Sequence, residues 1–234
     1  MVILLRRHSY FGNKPMNFLT SLINHDNFLI LMPYTMKKRI LLIGLAVLSV
    51  IIPGKSFSQD QKEQKTQVKP ALLVIDIQNA FLNMIPEREK ETALLNINSY
   101  IELFRSHGYP VICIYHISKE YGVVPGTDQF EFPASVLIKP DDPKVVKTYA
   151  DGFNKTDLNK VITENGSNTL FLCGLSAVGC VLATWLGSFN YDYKAFLIKD
   201  AIMSHNSEYT DNIEVMFDAV NYDVVKLILE NSEK

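Results

Sequence analysis

Residues 169–187 read TLFLCGLSAVGCVLATWLG, and this stretch decides how the rest of the chain is read. Thr169 to Cys173 form a short run of apolar residues without alternation, as in a strand buried on both faces. Gly174 to Gly179 are mostly small, and from Cys180 to Phe189 the apolar spacing becomes helical. A strand that runs through a small-residue turn into a helix is half of a β/α unit. Cys173 lies inside the strand and reads as inert packing. Cys180 lies where the chain enters the helix, at the positive end of the helix dipole. That position predicts a lowered thiol pKa and an enlarged thiolate fraction. Backbone N–H groups left free there can hold a developing oxyanion.

Other readings of the turn fail on particular residues. Gly174 and Gly179 begin a phosphate-binding loop, but Cys180-Val181 stand where Lys-Ser/Thr is required. A separation of seven residues between Cys173 and Cys180 is neither a C-x-x-C redox pair nor a usual zinc spacing. A nucleophile is the reading that survives.

Working outward, strands are predicted at Ala71–Ile75, Pro110–Tyr115, Lys144–Tyr149, Ala195–Lys199 and Val224–Ile228. Helices are predicted over Glu87–His107, from Thr156-Asp157 through Ile162, and over Tyr209–Val220. Such alternation implies parallel pairing through right-handed crossovers, hence an open three-layer α/β/α sandwich. Working residues then belong just past the carboxyl ends of the strands. Asp76 follows five apolar residues, where a carboxylate is costly unless solvated, paired or used. Lys144 and Lys147 differ by an odd offset and should point to opposite faces of the third strand. Cys113, inside the second strand, reads as packing.

With 234 residues, 47% hydrophobic and a net charge of -2, the composition is that of an ordinary globular protein. It offers no case for a nucleic-acid partner or an anionic surface. Three cysteines do not make a disulfide framework. At the front, Met36-Lys37-Lys38-Arg39 precede the apolar run Ile40–Ile52, and Ser56 and Ser58 occupy the -3 and -1 positions of a cleavage site. These are the parts of a secretory signal peptide over residues 36–58. Residues 1–35 then read as a mis-called upstream extension, 59–69 as a polar linker, and 70–234 as the folded domain. Export to the periplasm follows, with no membrane contact once the peptide is removed. The alternative is an uncleaved membrane anchor, although a comfortable span needs about 20 apolar residues.

With Asp76, the lysines and Cys180 placed, the domain resembles the isochorismatase-like cysteine hydrolases over nearly all of residues 70–229. "LLVIDIQNAF" resembles the opening motif and puts the family's aspartate on Asp76. "KTYADGFNKTDL" resembles the middle motif and selects Lys147 over Lys144. "GLSAVGCVLAT" resembles the third motif and selects Cys180, and "KAFLIKDA" resembles the strand that usually follows. The resemblance implies a Rossmann-like, six-stranded parallel sheet in the order 3-2-1-4-5-6, which sets Asp76 and Cys180 at the switch point. It implies a catalytic triad, Asp76 as base, Cys180 as nucleophile and Lys147 as electrostatic stabiliser. It further implies an oxyanion hole from the N–H groups of Ser176 and Cys180, beside a cis peptide at Leu175-Ser176. Gln78, Phe81, His116 and Phe153 are the expected pocket residues.

Amide-type C–N hydrolysis of a small molecule, through a thioester acyl-enzyme, is the activity so implied. Members that cleave the vinyl ether of isochorismate lack the cysteine, which this chain keeps. Nicotinamidases of the same fold carry an Asp-x-His metal motif after the second strand; here Ile114 precedes His116, so neither metal nor other cofactor is expected. The segment Ser118–Val136, with Tyr121, Phe130 and Phe132, resembles a lid over the pocket, and a homo-oligomer is expected. Two rivals stand beside this reading: a catalytically retired scaffold acting as an exported binding protein, and a redox sensor, for which Cys173 is badly placed as resolving thiol.

Overall fold

The structure, a computed structural model, describes residues 67–232. The expected upstream extension, the signal peptide and most of the linker lie outside the described residues. The order of elements is β1 (Pro70–Ile75), α1 (Asn79–Leu82), α2 (Glu87–Ser106), β2 (Val111–His116), β3 (Lys144–Lys147), α3 (Leu158–Glu164), β4 (Thr169–Leu175), α4 (Leu182–Ser188), β5 (Lys194–Met203), α5 (Ser207–Met216) and α6 (Tyr222–Glu230). The strands form one parallel sheet in the order β3-β2-β1-β4-β5. Strand β1 is buried throughout, and its alternate residues serve different cores. Leu72 and Val74 pack with Ile97, Ile101 and Phe104 of α2 and with Val225 and Leu229 of α6. Ala71, Leu73 and Ile75 pack on the opposite face with Leu158 and Ile162 of α3 and Val181. One apolar cluster on each face makes the three-layer α/β/α sandwich.

Among the described residues the sheet has five strands, not the six expected. Val224–Ile228 lie inside helix α6. Asn221 caps that helix by accepting from the Val224 N–H at 3.1 Å, and Asp223 sits in the first turn. Val225 and Leu229, four apart, are buried, whereas Val224 and Leu227 are exposed. The β-branched pair suggests a strand, but the apolar face has helical spacing and the cap decides. Among the described residues a single parallel bridge, Ile198 to Val220, stands where the sixth strand was expected.

The bridge falls where β5 bulges. Between the pairs Leu172↔Leu197 and Gly174↔Ile202, β4 advances by two residues and β5 by five. The excess loops out around Asp200, which takes φ 57°. Its N–H donates to Glu214 Oε1 at 2.7 Å and its carbonyl accepts from Asn96 Nδ2 at 2.9 Å. Gly174 governs the opposite edge of β4. With φ +113°, a side chain there would set Cβ 2.0 Å from the Ile75 carbonyl oxygen. Only glycine allows β4 to press against the end of β1.

Burial raises the Glu214 carboxyl from its ordinary 4.5 to about 7, against the stabilising Asp200 N–H. Between these values the folded chain keeps a proton that the unfolded chain has lost. The stabilisation is therefore complete below about pH 4.5 and disappears as pH rises through about 7. Glu214→Gln keeps an acceptor for Asp200 but cannot ionise. Urea unfolding of the native chain should lose about 2 kcal/mol from this group between pH 5 and 8. The Gln variant should lack that part of the slope.

Candidate active site

The strand order reverses between β1 and β4, so the crevice lies at their carboxyl ends. Asp76 is the first residue past β1. Its N–H still donates to the Ile114 carbonyl at 2.9 Å, and φ 52° then turns the chain out of the sheet. Past β4 the Leu175-Ser176 peptide is cis, and a wide turn over Ala177–Val181 carries Cys180. The Ser176 carbonyl accepts from the N–H groups of Gly179 (2.8 Å) and Val181 (3.1 Å), which fixes that turn. Helix α4 begins two residues after Cys180, at Leu182.

Lys147 ends β3, two strands from β1. It shares the buried face of Val145, while Lys144 and Val146 face outward. Lys144 lies 3.9 Å above the Tyr115 ring and 3.7 Å from Glu131. The Lys147 ammonium reaches past β2 and donates to Asp76 Oδ2 at 2.6 Å, His116 Nδ1 at 2.9 Å and the Tyr149 carbonyl at 3.2 Å. An ammonium has three donors and no acceptor, so its capacity is filled. His116 Nδ1 must accept, which leaves the proton of the neutral ring on Nε2. Burial, then the Lys147 charge, lowers His116 to about 4.

The other Asp76 oxygen, Oδ1, is buried without a hydrogen-bond partner of ordinary geometry among the described residues. A carboxylate oxygen of Asp76, a ring nitrogen of His116 and Cys180 Sγ all lie within 4.8 Å of one another. Three such groups could ligate a cation, but the Lys147 ammonium already draws on two of them, and its charge opposes a second cation there. Burial raises the Asp76 carboxyl above its ordinary range; the Lys147 charge and hydrogen bond oppose this, with a smaller contribution from the Cys180 thiol. The Cys180 thiol is pushed up to about 12, by burial first and the Asp76 charge second, with Lys147 opposing. This reverses the lowered pKa expected from a helix N-terminus. Burial and the neighbouring Asp76 carboxylate account for that direction.

The structure thus brings Asp76, Lys147, His116 and Cys180 together. Gln78 is fully buried and clamps the His116 backbone, Nε2 donating to its carbonyl (3.0 Å) and Oε1 accepting from its N–H (2.7 Å). Phe81 meets the His116 ring edge-on at 6.0 Å. Phe153 is 5% exposed and stacked on Tyr191 and Tyr193, within the core. Of the aromatics in the expected lid, Phe130 and Phe132 are buried and stack on Tyr115, and only Tyr121 is exposed. The Asn79 and Ala80 N–H groups donate to Glu131 and Gln129, tying that segment to α1. Cys113 and Cys173 are buried free thiols, both raised by desolvation. The Tyr149 carbonyl escaped sequence reasoning, because a backbone acceptor leaves no trace in sequence. Thr184 closes the motif GLSAVGCVLAT, but the sequence gives its hydroxyl no role.

Removing one partner of a buried ion pair strands the other. Lys147→Met should therefore cost about 3–5 kcal/mol in denaturant unfolding. Adding Asp76→Asn to it should recover most of that loss, so that the two changes are strongly non-additive.

Residues 70–224 match the family model for the Isochorismatase domain. The chain is 29% identical over 168 residues to the uncharacterized isochorismatase family protein YrdC of Bacillus subtilis, covering 70% of this chain and 89% of that one. An isochorismatase-like hydrolase from Alkaliphilus metalliredigens superposes with a TM-score of 0.63 at 25% identity, over 71% of this chain and 94% of that one. N-carbamoylsarcosine amidase from Thermoplasma acidophilum does so with a TM-score of 0.57 at 25% identity, over 66% and 95%. With two thirds of its length matched by the family model, and with the switch-point geometry just described, the chain belongs to the isochorismatase family.

Proposed function

We propose that this protein is a cysteine hydrolase that cleaves an amide-type C–N bond of a small molecule through a thioester on Cys180. The observation that carries this reading is the buried Asp76–Lys147 pair set beside the only thiol among the described residues that is not fully buried. At neutral pH a thiol with a pKa of about 12 is ionised in a fraction on the order of 10⁻⁵. That value measures the cost of taking the proton out of the site. Passing it from Cys180 to Asp76 costs less, because one negative charge stays beside the Lys147 ammonium throughout.

In this mechanism Asp76 Oδ1 takes the Cys180 proton as sulfur attacks the carbonyl carbon. The C=O electrons move onto oxygen, held by the N–H groups of Ser176 and Cys180. Collapse breaks the C–N bond, and the protonated Asp76 returns its proton to the departing amine. Asp76 then deprotonates a water that attacks the thioester, which releases the carboxylic acid and regenerates the thiol. His116, neutral above about pH 4, keeps Lys147 in place without adding charge. The similarity to an N-carbamoylsarcosine amidase supports primary amides and N-carbamoyl compounds as the substrate class. The signal-like segment ahead of the domain supports an enzyme acting outside the cytoplasm; among the described residues no helix is long and apolar enough to cross a membrane.

A panel of small primary amides and N-carbamoyl compounds, assayed for ammonia release, tests the proposal. At least one should be turned over, and Cys180→Ala should lower its kcat by about 10³-fold or more. Activity that survives Cys180→Ala would remove the nucleophile. Silence across the panel, with folded protein, would favour the retired scaffold.

A further inference from the structure

Thr184 is fully buried and lies four residues after Cys180. Its hydroxyl donates to the Cys180 carbonyl at 2.7 Å, a back-bond that many helical threonines make. Here the same oxygen also accepts from the Gly152 N–H at 2.9 Å. Gly152 belongs to the loop after β3, whose Tyr149 carbonyl holds the Lys147 ammonium. The loop is fitted closely to α4 at this point. A Cβ on Gly152 would lie 3.0 Å from Thr184 Cγ2, and one on Gly187 would lie 2.4 Å from the Asp151 carboxylate. Asp151 in turn accepts from the Phe153 N–H at 2.8 Å.

One hydroxyl therefore joins the two segments that carry the nucleophile and the ammonium's backbone acceptor. We propose that Thr184 is a positioning residue, which fixes Cys180 against the Asp76–Lys147 pair by bonding at once to the Cys180 carbonyl and the Gly152 amide. This rests on the hydrolase reading above. A purely structural threonine would affect stability alone. A positioning threonine affects the rate with bound substrate and the reactivity of Cys180, while leaving substrate affinity in place.

Thr184→Val keeps the shape and removes both bonds; Thr184→Ser keeps both. With the full chain and the best amide of the panel, the Val variant should lose about 30-fold in kcat with KM within about threefold. The Ser variant should stay within about threefold of the native chain. Gly152→Ala, which crowds Thr184 and Leu158 at 3.0–3.1 Å and strains the amide–hydroxyl bond, should lower kcat by about tenfold, and combining it with Thr184→Val should add little. A native kcat in Thr184→Val, a loss confined to KM, or a Ser variant as slow as Val would overturn the proposal. If Thr184→Val does not fold, Gly152→Ala decides, and an unchanged kcat there overturns it. Should no amide be cleaved by the native chain, iodoacetamide labelling still separates the two ideas. The rate at Cys180, relative to Cys113, should change by about fivefold or more in Thr184→Val, and an unchanged ratio overturns the role of Thr184 independently of any substrate.

Discussion

The Lys147 ammonium is the constraint on which the site depends. A cation buried beneath the sheet end is tolerable only if every N–H finds an acceptor, and this one finds Asp76, the neutral imidazole of His116 and the Tyr149 carbonyl. These acceptors come from three separate segments, so the cation ties β1, β2 and the loop after β3 into one rigid unit. It leaves Asp76 Oδ1 as the basic atom with acceptor capacity to spare. The site is consequently balanced in charge, and a proton can move within it without creating an isolated ion.

The sheet supplies the placement. Strand order alone sets the ends of β1 and β4 side by side, and Gly174 lets them touch where a side chain would collide with the Ile75 carbonyl. The turn over Ala177–Val181 then presents Cys180 where the chain enters α4. A raised thiol pKa is compatible with a nucleophile when the base is adjacent, because what matters is the proton affinity of sulfur relative to Asp76, not relative to water. Burial raises both groups in the same direction.

Much of this arrangement was legible in the sequence because catalytic groups at strand ends break apolar runs. Asp76 after ALLVI and Cys180 after a small-residue turn are visible for that reason, and the odd offset between Lys144 and Lys147 places the two on opposite faces. What stayed illegible depends on tertiary context. VVKLI has the β-branched content of a strand, yet Asn221 caps it as a helix. Phe130 and Phe132 resemble lid residues until Tyr115 gives them a buried surface to stack on. The sign of the Cys180 shift could not be read from a helix start, since desolvation and the neighbouring carboxylate appear only once the chain has folded.

The central claim, that Cys180 is a protonated nucleophile activated by Asp76, is tested most directly by iodoacetamide labelling of each cysteine across pH, with ammonia release followed in the same samples. The account predicts that modification of Cys180 alone abolishes ammonia release. Its labelling rate should keep rising into the alkaline range, in step with a thiol near 12, without a plateau near neutrality. Ammonia release that persists after complete labelling of Cys180, or a Cys180 no more reactive than buried Cys173 at any pH, would contradict it.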